Sequence, residues 1–340
     1  MIPAEEEGCC VICVTPVRNE AWILERFLTS AALWADHIVV ADQASTDGSG
    51  DIARNHSRVT VVDNPAPSYD EGARQRLLLD AARQIPGRRL IVALDADEAL
   101  SSTWHGSAEW DSARAAAPGT AFAFDWVNVL PAGDSAWIPP HKIVFAFVDD
   151  GSEHLGERIH STRVPVPDTD RVVAIDDLKV LHFQHTNWKR MESKQRWYQC
   201  WEALGHTSKR PIQIYRQYHR MDAFPREEIH PLDERWLSGY RERGIDMSAA
   251  RDDDLYWWDE EVFDWIVEHG PRAFRKLALW DVDWSEVGRR LGRDVAPARV
   301  RDPRGPFAKT VHRWLDMTQR RNLESPVTRL AQRLLIPLGW

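Results

Sequence analysis

The chain has 340 residues, 43% of them hydrophobic and 28% charged, with a formal net charge of -9 and a pI near 5.8. That composition excludes a disordered or fibrous chain, and the negative balance excludes a general nucleic-acid binder, whose grip on phosphates needs clustered Lys and Arg. The length exceeds a usual domain of ~100 to 200 residues, so one large domain with an extension, or two packed units, is expected.

The first residues, MIPAEEEGCC, hold three glutamates where a secretory leader carries positive charge, and no run reaches the ~18 apolar residues of a membrane span. A cytoplasmic location is expected. Val11 to Pro16 reads as an apolar strand, and Asn19 as the cap of a helix whose apolar stripe includes Trp22, Ile23, Phe27, Ala31 and Trp34. Alternation along the first strand sends Cys10 to the face opposite Cys9 and Cys13, and with Cys200 distant the thiols read as buried rather than zinc-binding.

His37 to Asp42 is a second strand, followed by a polar loop, a short helix near Asp51 to Asn55 and a third strand, Val59 to Asp63. A helix from about Asp70 to Gln84 and a fourth strand, Leu90 to Leu94, complete the series. Continuous apolar strands joined by helices imply a parallel sheet covered on both faces, with ligands beyond the carboxyl ends of the strands. Pro118 to Val129, Lys142 to Val148 and Val172 to Phe183 read as later strands of a mixed sheet, and Asp149-Asp150-Gly151 as a hairpin turn ahead of any catalytic role.

From Asn187 onward the helical period dominates, which divides the chain into residues 1–186 and 187–340. Among seventeen tryptophans, Trp236, Trp257, Trp258, Trp265, Trp280, Trp284 and Trp314 are assigned chiefly to helix packing, an exposed subset being suited to stacking on sugar rings. The stretch Val295 to Phe307, with Pro297, Pro303, Gly305 and Pro306, reads as a flexible joint.

The sharpest chemical feature is Leu94-Asp95-Ala96-Asp97-Glu98, closing an apolar strand. Carboxylates at i and i+2 there can turn toward one Mg²⁺ or Mn²⁺, ions that take one or two protein oxygens and complete their shell with substrate phosphates. Asp42 ends the second strand on the same edge, where it can accept hydrogen bonds from a base or ribose; Ser45 and Asp47 after it read first as caps of the next helix. The turn Thr15-Pro16-Val17-Arg18-Asn19-Glu20 can present backbone groups to a nucleobase, and Arg74 opens a helix, as a plain surface residue or as a contact to base or diphosphate.

In this order and on these elements, TPVRNE, VVADQASTDGS, GARQ and LDADE resemble the nucleotide-binding half of family 2 glycosyltransferases, over about residues 9 to 100. The resemblance implies a GT-A-like α/β fold: a mixed, mostly parallel sheet flanked by helices, with residues 1–186 as the nucleotide-sugar-binding catalytic domain and 187–340 as a helical, Trp-rich acceptor-side region. It implies an inverting enzyme using Mn²⁺ or Mg²⁺ and a nucleoside diphosphate sugar donor, with a glycan, lipid-linked or small-molecule acceptor. By position, Thr15, Pro16, Arg18 and Glu20 become nucleoside contacts, Asp42 the base-binding aspartate, Arg74 a base or diphosphate contact, Asp95 with Ala96 a ribose or metal contact, and Asp97 the metal ligand. Gln43 and Ala44 stand where the family usually has Asp and Gly.

A weaker resemblance to a bacterial branch of that family continues through Gly156-Glu157-Arg158-Ile159-His160-Ser161 and Val180-Leu181-His182-Phe183-Gln184-His185, with Ser161 where a glutamate is expected. Displacement at an anomeric carbon needs a base for the acceptor hydroxyl; Glu157 and His160 are the candidates, and His182, ahead of His185, is the candidate third metal ligand.

Two rival enzyme classes remain. Gly48-Ser49-Gly50-Asp51-Ile52-Ala53 fits the G-x-G-x-x-A of a dinucleotide-binding oxidoreductase, although the loop before it is long and acidic where pyrophosphate should sit. A nucleotidyltransferase also binds nucleotide and metal at strand ends, but its basic, Gly-rich first loop is reduced here to Arg18. A protein that binds the donor without turning it over is the non-enzymatic reading. Residues 304–340 hold seven Lys or Arg against Asp316 and Glu324, among Leu330, Leu334, Leu335, Ile336 and Trp340, so this end reads either as docked on the protein or as resting on an anionic membrane.

Overall fold

The computed structural model describes residues 8–340 except 67, 207, 225, 250–252, 254, 321–322 and 324; the acidic segment 1–7 lies outside the described residues. The chain forms two compact units, Met1–Thr186 with Glu228–Arg251, and Asn187–Glu227 with Asp252–Trp340.

The first unit runs β1 (Cys10–Val17), α1 (Leu24–Ala31), β2 (His37–Asp42), α2 (Ser49–Arg54), β3 (Val59–Asp63), α3 (Glu71–Ala82), β4 (Arg89–Ala93), β5 (Glu98–Leu100), α4 (Ala108–Ala115), β6 (Ala121–Val129), β7 (Ser135–Trp137), β8 (Ile143–Val148) and β9 (Val172–His182). Helices α5 (Trp188–Trp201) and α6 (Pro211–Tyr218) belong to the second unit, after which β10 (Ile229–Pro231) and α7 (Arg235–Arg241) return to the first.

Among the described residues ten strands join in one sheet, in the order β10-β7-β6-β8-β4-β1-β2-β3, with β9 paired to both β5 and β6. Its longest ladders, β1 on β2, β4 on β1, β3 on β2 and β6 on β9, are parallel, and antiparallel pieces complete it, so the mixed, mostly parallel sheet expected from the sequence is borne out.

Strand alternation builds both faces. Val11 and Cys13, with Ile38, Val40, Leu90 and Val92, pack against Phe27 and Leu28 of α1 and Trp110 of α4. Ile12, Val14, Val39 and Ile91 face Leu78, Leu79 and Ala82 of α3. Cys10 falls on the second face and Cys9 and Cys13 on the first, all as free thiols, as alternation predicts.

Three local expectations are corrected. Helix α1 starts at Leu24 rather than after Asn19, because Asn19 takes a left-handed φ of 57° and lends its side-chain Oδ1 to the Thr46 amide at 2.7 Å. Asp149 is no hairpin residue: β8 leads into a long irregular segment, and the Asp149 carboxylate is buried between Arg83 and Arg89, both at 3.0 Å. The stretch 295–307 lies within the second unit, where Val300 is buried and Arg304 donates to the Trp280 carbonyl, so it is no joint between units.

The second unit adds α8 (Trp257–His269), α9 (Trp284–Arg290), α10 (Pro306–Arg320) and α11 (Pro326–Leu335) to α5 and α6. Trp197 of α5 is its aromatic centre, with Trp257 and Trp265 rings each 5.8 Å away and its indole N–H donating to Glu261 at 2.7 Å. Every tryptophan named in the sequence analysis is at least partly buried, as packing residues should be.

His312 sits on α10 between Tyr215 and Trp340, where burial, reinforced by Arg304, lowers its imidazole from the ordinary 6.5 to about 4. A depressed histidine favours the folded state while neutral. Its contribution is therefore complete above pH 6.5 and lost as pH falls through 4, roughly 3 kcal/mol over that window. Urea unfolding at pH 7 and pH 5 should show a midpoint drop that His312→Gln flattens; equal pH sensitivity in both proteins would refute this origin.

Candidate active site

The site begins where β4 ends. Leu94 donates its amide to the Val14 carbonyl of β1, the chain turns through Asp95, Ala96 and Asp97, and the Glu98 amide closes the turn on the Asp95 carbonyl at 2.9 Å. Strand β5 then pairs with β9 so that Glu98 stands opposite His182, while β6 brings Asn128 opposite the same histidine. The Phe183 amide bonds the Asp97 carbonyl at 2.8 Å, so the acidic turn and the end of β9 are one piece.

This register orients His182. Its Nδ1 lies 2.8 Å from Asn128 Oδ1, an acceptor only, so Nδ1–H donates, and Nε2 stands 3.7 Å from Asp97 Oδ1. The ring stacks on Trp126 at 4.6 Å, and both His182 and Asp97 are about 3% exposed.

A distance of 3.7 Å is too long for a hydrogen bond. It falls between the ~3 Å of adjacent and ~4 Å of opposite ligands on one ion held at ~2.1 Å. A histidine that donates its second N–H to a fixed acceptor is also how proteins orient a metal ligand. Among the described residues no group of three or more His, Cys, Asp or Glu is placed to hold a metal ion, so His182 does not join Asp95 and Asp97 as a third ligand; Asp95 is paired with Arg163 instead. Two protein donors with open positions suit Mg²⁺ or Mn²⁺, whose remaining ligands come from phosphate and water.

The other two carboxylates of the motif are tied to a residue that the sequence did not single out. Arg163 ion-pairs with Glu98 through both terminal nitrogens and reaches Asp95 Oδ2 at 3.1 Å. Glu98 is fully buried, accepting further bonds from the Asp95 amide and the Trp126 indole, both at 2.8 Å. Burial pushes its carboxyl up, against the pull of Arg163, while Asp95 and Asp97 add to the rise. Burial also works against the charge on Arg163, but Asp95 and Glu98 outweigh it and raise the guanidinium further. Arg163 comes from an irregular segment 65 residues beyond Glu98, with no periodicity to reveal it.

A second feature lies at the ends of β2 and β3, where a cavity of about 420 Å³ is lined by Asp42, Ser45, Thr46, Asp51, Arg54 and Asp63, among others. Asp42 is 6% exposed and accepts from the Ser45 amide; a Cβ on Gly50 would stand 2.6 Å from its Oδ2, so a side chain there would displace the Asp42 carboxylate. The loop after β2 is lashed to the turn after β1: Asn19 donates to Ser45 Oγ, Glu20 to Ser49 Oγ and Ala21 to Asp47 Oδ2. Asp47 also accepts from the Ser49 amide at the start of α2, whereas Ser45 holds the loop rather than the helix.

The two departures from the family pattern have structural readings. Gln43 donates to the carbonyls of Ala66 and Ser68, bracing the loop after β3, and Ala44 takes a left-handed φ of 50°, the conformation that favours glycine.

The remaining candidates are placed as follows. Thr15 is fully buried, and its hydroxyl has no hydrogen-bond partner among the described residues. Pro16, Arg18 and Glu20 are half-buried, Glu20 accepting from the Trp22 indole. Ala96 is buried within the acidic turn, and the Arg74 guanidinium lies 4.8 Å from the Tyr69 ring centre.

Glu157 and His160 are exposed on the segment before Arg163, His160 with a left-handed φ of 56°. That segment is pinned to the start of α3: the Gly72 amide donates to the Glu157 carbonyl and the Glu71 amide to that of Arg158. A Cβ on Gly72 would meet the Gly156 carbonyl oxygen at 2.5 Å. Ser161, where a glutamate was expected, receives a carboxylate from elsewhere, its amide donating to Glu71 Oε2 at 2.9 Å.

Acidic side chains thus stand at the carboxyl ends of parallel strands, beside a loop-lined cavity, the edge at which open α/β sheets bind ligands. Residues 12–107 match the family model of glycosyl transferase family 2, so the resemblance carried by the four motifs is borne out over that segment. No match was found among curated proteins. Solved structures similar to the chain include a 4-diphosphocytidyl-2C-methyl-D-erythritol synthase, at 14% identity over 42% of this chain and 73% of that one, with a TM-score of 0.26. Another is described as a mannose-1-phosphate geranyltransferase from Thermus thermophilus, at 15% identity over 42% of this chain and 51% of that one, with a TM-score of 0.27.

Proposed function

We propose that the protein is a metal-dependent inverting glycosyltransferase that moves a sugar from a nucleoside diphosphate sugar to an acceptor hydroxyl. The observation that carries this reading is the buried Asp97–His182 pair, with Nε2 of the histidine 3.7 Å from the carboxylate at the end of β4 and its Nδ1 held by Asn128. Mg²⁺ or Mn²⁺ held there supplies positive charge to the departing diphosphate. Asp42 and its cavity receive the nucleoside, with Pro16, Arg18, Glu20 and Arg74 as further contacts. The acceptor oxygen forms its bond to the anomeric carbon as the carbon–phosphate-oxygen bond breaks, and the hydroxyl proton passes to Glu157 or His160.

The dinucleotide reading is physically disfavoured. The α2 start that would hold pyrophosphate already accepts an anion, the Asp47 carboxylate bonded to the Ser49 amide and hydroxyl. A glycan, a lipid-linked sugar and a small natural product are the acceptor classes to test.

A thermal-shift panel of UDP, GDP, dTDP, CMP and NAD, with and without Mn²⁺, tests the proposal, because a ligand that binds only the folded state stabilises it by mass action, about 2.7 kcal/mol at a hundred times its Kd. A manganese-dependent shift with one nucleoside diphosphate is expected. A metal-independent shift with NAD alone would move the protein to the dinucleotide class.

A further inference from the structure

Among the described residues no helix is long and apolar enough to cross a membrane. Yet the end of the chain keeps a row of large aliphatic side chains in water. On and just beyond α11, Val327 is 76% exposed, Leu330 58%, Leu334 66% and Leu338 57%. Their spacing of three, four and four residues makes one helical stripe rather than a scatter of surface leucines.

The segment is nevertheless fixed from behind. Thr328 and Trp340 are buried, and Trp340 and Leu335 pack on Ile212, Tyr215, Val311 and Leu315. Lys276 donates to the carbonyls of Leu338 and Gly339 at 3.1 and 2.6 Å. The apolar stripe is thus the outward face of a docked element, so the docked and membrane-resting alternatives of the sequence analysis are compatible: one face serves each.

The charge around the stripe names the occupant. Residues 325–340 contain Arg329 and Arg333, both exposed, and no acidic residue, and residues 304–340 carry a net +5 in a chain of net -9. A second copy docking face to face would set its own Arg329 and Arg333 against these, a like-charge arrangement. A bilayer with anionic headgroups offers apolar depth for the exposed leucines and a charge opposite in sign to the net positive charge of residues 304–340. We propose that α11 and the residues after it, 326–340, form a docking surface for an anionic lipid bilayer. The inference is independent of the transferase reading.

The test is co-sedimentation of the full-length protein with phosphatidylcholine vesicles, with and without phosphatidylglycerol, at low and high salt. Binding is expected with phosphatidylglycerol only and should weaken with salt. Leu330→Ser/Leu334→Ser and, separately, Arg329→Gln/Arg333→Gln should each lower it about tenfold or more. These positions are exposed, so an unchanged circular dichroism spectrum is expected to accompany the loss. Three outcomes overturn the proposal: no sedimentation of the wild type, equal binding to both vesicle types, or binding that neither double variant changes. A wild-type dimer abolished by Leu330→Ser/Leu334→Ser would reassign the stripe to a second copy of the chain.

Discussion

Replacing Asp97 with alanine is expected to abolish sugar transfer, by about a thousandfold or more, while leaving the sheet folded. The size follows from the chemistry: stabilising charge on a departing diphosphate is worth several kcal/mol, and each 1.36 kcal/mol is about tenfold in rate. The fold should survive because the turn is held by backbone bonds that alanine keeps, from Phe183 to the residue 97 carbonyl and from Glu98 to that of Asp95. The same variant should lose the manganese-dependent part of nucleotide stabilisation. Glu157→Gln and His160→Asn should instead retain it, whichever of them slows turnover, because neither group is needed to hold the donor. Wild-type turnover by the Asp97 variant would end the metal assignment.

Arg163→Met is expected to destabilise the first unit by roughly 3 to 5 kcal/mol. The loss arises less from the attraction removed than from the Glu98 carboxylate left fully buried without its cation. A second substitution separates the two: Glu98→Gln in the Arg163→Met background should recover most of the stability, since it removes the stranded charge. Denaturant unfolding of the three proteins is the measurement, and an unrecovered double variant would mean that Arg163 acts through packing on Phe145, over which its guanidinium lies, rather than through charge.

The central strands were legible because a strand buried on both faces must be continuously apolar, as VICV, IVV and LIVAL are. The acidic turn was legible because charge at the end of such a strand contradicts its surroundings. Strands β5, β7 and β10, three residues each, are too short to show a period of two; β5 and β7 exist because the longer β9 and β6 pair with them, and β10 because β7 does. Asn19 was misread because a residue that favours helix caps also tolerates a left-handed backbone, and the partner deciding between these, Thr46, is 27 residues away. Arg163 and the return of 228–251 to the first unit share that cause: each is fixed by distant pairing, which local composition does not record.

The lashing of the turn after β1 to the loop after β2 has a consequence for kinetics. Four side chains, Asn19, Ser45, Asp47 and Ser49, hold the two segments together through bonds between them before any donor arrives. The conformational entropy of ordering these segments is therefore lost during folding and not again on binding. On the proposed function, nucleotide association at this edge should be governed by encounter and orientation rather than by a slow loop rearrangement.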